Sequence, residues 1–191
     1  NIYETVCDFI SHLIRDNPTE KRYFFVIDSM DALISKADVD RSYDESNKVA
    51  GGAVTSSNFL KRMALPISTR GHICVLISQV RSKVSINMYE KTDPKLTNAS
   101  GGNALLHFSD WILEFQPRYT KHQIKDSKAA KEDAAEGHWC EVIFRKTPNE
   151  TTGTIVKYPI KYGRTGGKSI WVEYEILNTL LKWGFVKRAG A

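Results

Sequence analysis

Cysteine is scarce: Cys7, Cys74 and Cys140 are the only three in 191 residues. An odd number of widely separated thiols excludes a disulfide framework, and no C-x-x-C pair is present to grip a metal. Each thiol lies among apolar neighbours, so reduced, buried cysteines and a cytoplasmic setting are expected. Long hydrophobic runs are missing too. The longest, Tyr23–Ile27 and Ile73–Ile77, fall far short of the roughly 20 residues that a membrane-spanning helix needs. No apolar leader opens the chain, which starts at Asn1 and soon carries Glu4 and Asp8, and it reads as a stretch of a longer protein. Nor is there a strong charge of one sign. Against 27 Lys and Arg stand 22 Asp and Glu, a net of +5 that is compatible with a polyanionic partner without establishing one. What is present is 41% hydrophobic and 10% aromatic residues, enough for the core of one ordinary domain and too much for a disordered chain.

Hydrophobic spacing predicts the elements. Ile2, Val6, Phe9, Ile10, Leu13 and Ile14 fall on one face of a helix that Asn17-Pro18 ends. Tyr23–Ile27 is apolar on both faces and closes on Asp28-Ser29, the pattern of a central parallel strand covered on both sides. Lys36–Asn47 is polar and acid-rich, a surface loop. Val49, Ala53, Leu60, Met63, Ala64 and Ile67 mark a second helix, punctuated by Arg70-Gly71. His72–Val80 is a second buried strand. The polar stretch Ser82–Ser100 leads through Gly101-Gly102-Asn103 to a short helical turn, and Trp111–Phe115 makes a third strand. Residues 121–137, rich in Lys, Ala and Glu, are expected as an exposed helix or excursion. Glu141–Lys146 and Thr154–Lys161 flank Pro148-Asn149-Glu150 as an antiparallel hairpin. Val172, Ile176, Leu177, Leu180 and Leu181 give a last helix, stopped by Gly184. This alternation predicts one α/β domain over residues 1–191: a mainly parallel sheet flanked by helices, with right-handed crossovers and an antiparallel hairpin extension. Ligands of such sheets sit beyond the carboxyl ends of the strands.

Asp28 closes the first strand. A carboxylate held there can orient Mg2+ and its waters beside nucleotide phosphates, and it is also a residue that opens turns readily. Gln79 closes the second strand. Its amide can contact a terminal phosphate and shift when that phosphate leaves, or simply bond to the next loop. Arg81, Lys83, Lys91 and Lys95 follow, interspersed with Asn87, Tyr89, Thr97 and Asn98. Cations in such a segment can track a phosphate backbone while Tyr89 stacks on a base. Glu90 and Asp93 dilute the charge, and an ordinary surface loop is the plainer alternative. No G-x-x-x-x-G-K-[ST] phosphate loop occurs. Gly163-Arg164-Thr165-Gly166-Gly167-Lys168-Ser169 is one spacer short of it and follows a hairpin rather than a buried strand.

Together these segments resemble the RecA family of recombinases. The resemblance rests on Phe25-Val26-Ile27-Asp28-Ser29-Met30-Asp31-Ala32-Leu33, on Val75-Leu76-Ile77-Ser78-Gln79-Val80-Arg81-Ser82-Lys83, and on Gly101-Gly102-Asn103-Ala104-Leu105. The tail from Glu175-Ile176-Leu177 through Gly184 to Ala191 adds to it, and with insertions the likeness runs over essentially the whole chain. It implies a RecA-like P-loop NTPase core. By resemblance Asp28 is the Walker B carboxylate, holding Mg2+ through water, and Ser29 lies with it at the nucleotide. Gln79 is the sensor of the terminal phosphate of ATP. Residues 81–100 are the second DNA-binding loop, which Arg81, Lys83, Tyr89, Lys91, Lys95 and Asn98 would line. Gly101 and Gly102 close it, where glycine permits backbone angles barred to other residues. Asp38–Ala50 corresponds to the first DNA loop. Lys146 stands where a lysine reaches the phosphates of a filament neighbour. The implied whole protein binds ATP, Mg2+ and single-stranded DNA, self-associates into a filament and promotes strand exchange in recombination and repair. The family carries its phosphate loop and its water-positioning glutamate upstream of this stretch, so the 191 residues alone are expected to show little or no ATPase activity. Residues 81–100 and 121–137 are longer than in bacterial members, and His107 replaces an aromatic interface residue, as in a divergent phage-type or mobile-element-type member. Two other readings stay open: a non-catalytic RecA-fold paralogue that regulates a recombinase, and a helicase-type ring ATPase, against which the Gln-x-Arg loop with Gly-Gly-Asn argues.

Overall fold

Tyr3, Cys7, Ile10 and Ile14 recur every three or four residues, and helix α1 (Tyr3–Arg15) buries all four. The buried stripe differs from the expected one: Phe9 is 61% exposed. At about 100° per residue, Phe9 lies two steps round from Cys7, on the far side of the helix. The protein is described by a computed structural model over residues 2–17, 20–40, 51–79, 102–125 and 135–189. It divides into two units, Asn1–Ser109 and Asp110–Ala191.

In the first unit, β1 (Phe24–Ile27) pairs in parallel with β2 (Ile73–Leu76), with Phe24 opposite Ile73 and Ile27 opposite Leu76. Between them in the chain lie the short helix α2 (Lys36–Val39) and the long helix α3 (Gly51–Thr69). A helical turn thus replaces the start of the expected loop. Ser35 caps it, its Oγ accepting the Asp38 N–H at 3.2 Å. The core gathers Tyr3, Cys7, Ile10 and Ile14 from α1, Ile27 from β1, Met30 just beyond it, and Phe59, Leu60 and Met63 from α3. Ala104 and Leu105 of α4 (Gly102–Phe108) pack on its margin. The Tyr3 hydroxyl reaches Ser56 Oγ at 2.6 Å inside this core. Burial pushes the Cys7 thiol up to about 12 and that of Cys74 to about 11.

Only one face of the two-stranded sheet carries this packing. Phe24, Val26, Ile73, Val75 and Ile77, on the other face, are 38–65% exposed. The cover on both sides expected from the apolar run is therefore met on one side among the described residues. Gly71, at φ +68°, turns the chain from α3 into β2.

The second unit is antiparallel throughout. Its strands are β3 (Ile112–Phe115), β4 (Gln123–Lys125), β5 (Ala135–Lys146) and β6 (Ile155–Lys161). The twelve-residue β5 is long enough to serve three partners. Residues 142–146 pair with β3 and 135–138 with β4 on one edge, while 137–143 pair with β6 on the other. The predicted hairpin is thus present, but Trp111–Phe115 is not a third parallel strand. Glu114 interrupts its apolar run, and Leu113 and Phe115 are 46% and 60% exposed. Exposure alternates along the strand, with Ile112 and Glu114 half-buried on the covered face, where Glu114 pairs with Arg145 of antiparallel β5. The described sheets hold one parallel pair and three antiparallel ones, so the mainly parallel sheet is not observed. The expected excursion over 121–137 yields to β4 and the start of β5, with 126–134 outside the described residues.

Helix α5 (Val172–Lys182) ends as expected at Gly184, φ +75°. Phe185 N–H bonds to Leu180 O at 3.0 Å and Gly184 N–H to Leu181 O at 3.2 Å, closing the helix end. No described helix is long and apolar enough to cross a membrane.

Two substitutions test this packing. Ile14 is 1% exposed, so Ile14→Ala should lower the unfolding free energy by about 2–5 kcal/mol in a urea titration. A Cβ on Gly137 would sit 2.1 Å from the Ile160 carbonyl oxygen across the β5–β6 pair, so Gly137→Ala should remove about 1–3 kcal/mol by the same measurement.

Candidate functional site

The carboxyl ends of β1 and β2 form one rim because the strands are parallel neighbours in register. The chain beyond Ile27 folds back on the chain beyond Leu76 through three bonds. Ile77 N–H donates to Ile27 O at 3.0 Å, and Met30 N–H donates to Ile77 O at 2.8 Å. Gln79 N–H donates to Asp31 Oδ2 at 2.7 Å. Met30 is 3% exposed and anchors this turn in the core, with the Tyr3 hydroxyl 3.5 Å from its sulfur. Asp28 and Gln79 are exposed at the rim and Ser29 is half-buried. The Asp28–Ser29 peptide bond is cis. A single turn of 3₁₀ helix, Met30–Ala32, follows.

The structure therefore brings Asp28, Ser29 and Gln79 to one rim. Arg81, Lys83, Tyr89, Lys91, Lys95, Asn98 and Gly101 lie outside the described residues, as do positions 41–50 of the expected first DNA loop. Gly102 opens α4, and His107 is exposed on it. Sequence reading assigns no role to Asp31. Its signal is a second acid three places after Asp28, in the turn that follows β1.

Lys146 belongs to the second unit, where it ends β5, half-buried and opposite Ile112. The adjacent residue, Arg145, grips Glu114 of β3: Nε to Oε2 at 2.5 Å and Nη2 to Oε1 at 3.1 Å. Gln116 Nε2 adds a bond to Glu114 Oε1 at 2.7 Å. Charge-assisted forks of this kind hold direction well, so the end of β5 is tied across to β3. The Arg145 guanidinium, helped by the Gln116 amide, holds the Glu114 carboxyl below the usual carboxylate range against its partial burial. Farther along β5, Glu141 meets Lys157 at 2.5 Å and His122 at 3.4 Å. Burial, then the charges of Arg118 and His122, push His138 below the ordinary histidine value. The glycine-rich stretch 163–169 forms the turn between β6 and α5, with Arg164 paired to Glu173 at 3.0 Å.

The family described as RecA N-terminal domain matches residues 4–146. This chain belongs to the RecA family. It is 27% identical over 188 residues to the Protein RecA of Cytophaga hutchinsonii, a match that covers 98% of this chain and 47% of that protein. The Protein RecA of Chlorobaculum parvum is 26% identical over 191 residues, covering 98% of this chain and 48% of the relative. That of Porphyromonas gingivalis is 31% identical over 188 residues, covering 98% and 49%. The chain spans about half the length of these curated relatives.

Among the described residues no cluster of three or more His, Cys, Asp or Glu could hold a metal alone. A lone exposed carboxylate such as Asp28 suits Mg2+ that keeps its waters and takes its other ligands from phosphates. For nucleotide, the 191 residues hold a carboxylate and an amide at the rim but no G-x-x-x-x-G-K-[ST] cradle.

The Glu114–Arg145 fork has a pH signature. Its folded carboxyl binds a proton less readily than the unfolded one, so its stabilisation is complete at neutral pH. It is lost as pH falls below the ordinary carboxylate value near 4.5. Urea titrations between neutral and acid pH should show Glu114→Gln losing stability at neutral pH and a shallower decline on acidification than the parent. Equal slopes would mean that the fork adds nothing to stability.

Proposed function

We propose that these residues are the nucleotide-sensing and DNA-engaging part of a RecA-like recombinase, with 1–191 belonging to a single P-loop NTPase core. The observation that supports this best is the parallel register that sets Asp28 beside the strand end carrying Gln79, in a chain matched to the RecA N-terminal domain over 4–146. In this reading Asp28 orients Mg2+ through water, with Ser29 beside it, on ATP whose phosphate cradle lies outside the 191 residues. Gln79 meets the terminal phosphate, and the segment 81–100 follows it directly in the chain. An interaction present with ATP and missing with ADP biases that segment between two states, which is how nucleotide would set DNA affinity. Arg81, Lys83, Lys91 and Lys95 hold the phosphate backbone of single-stranded DNA, Tyr89 stacks on a base, Asn98 adds a polar contact, and Gly101 and Gly102 close the loop. Lys146 reaches the nucleotide of a neighbouring subunit in a filament. The whole protein would act in the cytoplasm in recombination and repair by strand exchange.

Two measurements on the full-length protein test the proposal. Gln79→Ala should bind ATP but lose most of the stimulation of hydrolysis by single-stranded DNA; full stimulation would remove Gln79 from the sensor role. Replacing Lys83, Lys91 and Lys95 together by Ala should weaken DNA binding and lower the slope of log affinity against log salt by about 2, at roughly 0.7 per neutralised phosphate. An unaltered slope would move the DNA site elsewhere.

A further inference from the structure

The rim is closed by two kinds of bond. Ile77 to Ile27 and Met30 to Ile77 are backbone to backbone, and any residues could make them. The third, from Gln79 N–H to Asp31 Oδ2 at 2.7 Å, is made by a side chain. An N–H donating to a carboxylate is charge-assisted, shorter and stronger than a neutral bond. It also falls at the residue read above as the phosphate sensor. Asp31 itself sits in the 3₁₀ turn Met30–Ala32, whose first residue is plugged into the core at 3% exposure. The turn that presents Asp28 and the turn that holds Gln79 are therefore one anchored piece.

We propose that Asp31 is a positioning residue: its carboxylate locks the main chain at Gln79 to the turn that carries Asp28. The inference rests on the reading of Gln79 as the phosphate sensor and deepens it. A side chain can report the departure of a phosphate over a fraction of an ångström only if its own backbone stays put. A slack strand end would absorb the displacement before it reached the next segment. Asp31 removes that slack. It needs no contact with nucleotide or DNA to do so.

The test uses the full-length protein with Asp31→Ala, Asp31→Asn and Gln79→Ala. Two quantities are read: deuterium uptake by the peptide spanning 77–80, and stimulation of ATP hydrolysis by single-stranded DNA with the KM for ATP. Asp31→Ala should speed exchange at Gln79 about tenfold, the scale of losing one charged hydrogen bond. It should also cut DNA stimulation severalfold while the KM for ATP stays within about twofold, since uniform binding is untouched. Asp31→Asn keeps a carbonyl acceptor and should recover at least half of both effects. Unchanged exchange in Asp31→Ala overturns the tether. Faster exchange with full DNA stimulation, or an Asn variant as impaired as Ala, overturns the positioning role. If Gln79→Ala keeps its DNA stimulation, the sensor reading fails and the coupling role of Asp31 falls with it, while the exchange data still decide whether the tether exists. If Asp31→Ala does not fold, Asp31→Asn decides by the same readouts, a smaller rise in exchange with a smaller drop in stimulation being expected and no change in either overturning the proposal.

Discussion

The parallel pairing of Ile27 with Leu76 is the constraint from which the candidate site follows. Parallel strands end at the same edge, so whatever residues follow them become neighbours whatever the length of chain between. Here that intervening chain includes α2 and α3, and α3 supplies Phe59, Leu60 and Met63 to the layer beneath the strands. Burial of those residues holds the sheet against α1 and α3, and the sheet in turn carries Asp28 and Gln79 at its exposed edge. Met30 links the two levels. Its side chain belongs to the core and its amide to the rim, so the stability of the packed layer and the geometry of the exposed acid are the same physical fact seen from two sides.

Much of this is readable from residue order. The run Phe24-Phe25-Val26-Ile27 and the run Ile73-Cys74-Val75-Leu76 announce strands, though not that only one face of each is covered among the described residues, and Asp and Gln beyond their ends are polar residues where chain direction changes. Half of the buried face of α1, Ile10 and Ile14, is legible in the hydrophobic spacing, whereas Tyr3 and Cys7, which carry polar atoms, are missed and Phe9 is apolar yet exposed. The true pairing of Trp111–Phe115 is hidden because a single charged residue, Glu114, weighs little against four apolar neighbours until its partner is known. Arg145 lies 31 residues away, and nothing local predicts that the two meet. Residues 121–137 mislead in the opposite way. Their Lys, Ala and Glu content favours helix, while Gln123-Ile124-Lys125 carries the alternation of a strand, and pairing with β5 settles the matter for that piece.

The candidate site shows the same division. Types of residue at strand ends can be read off, and so can a family likeness carried by motifs such as Gly-Gly-Asn-Ala-Leu. A bond between the side chain of Asp31 and the amide of Gln79 cannot, because 48 positions separate them and only the fold brings them within 2.7 Å. The second unit is built around one strand. Its long central strand is bound along both edges, carries the Glu114–Arg145 fork at one end and the Glu141–Lys157 pair in its middle, and buries Val142 with Ile124 of β4 and Pro159 of β6.

The two thiols of the first unit have one further consequence. Cys7 and Cys74 lie where burial lifts their ionisation to about 12 and 11, so at neutral pH almost none of either exists as the nucleophilic thiolate. Cys74 is half-buried, whereas Cys7 lies in the core that α1 forms with α3, so an alkylating reagent gains access to Cys7 only in those moments when that packing parts. The module thus carries a silent clock: the rate at which Cys7 is labelled counts openings of the very packing that supports the rim.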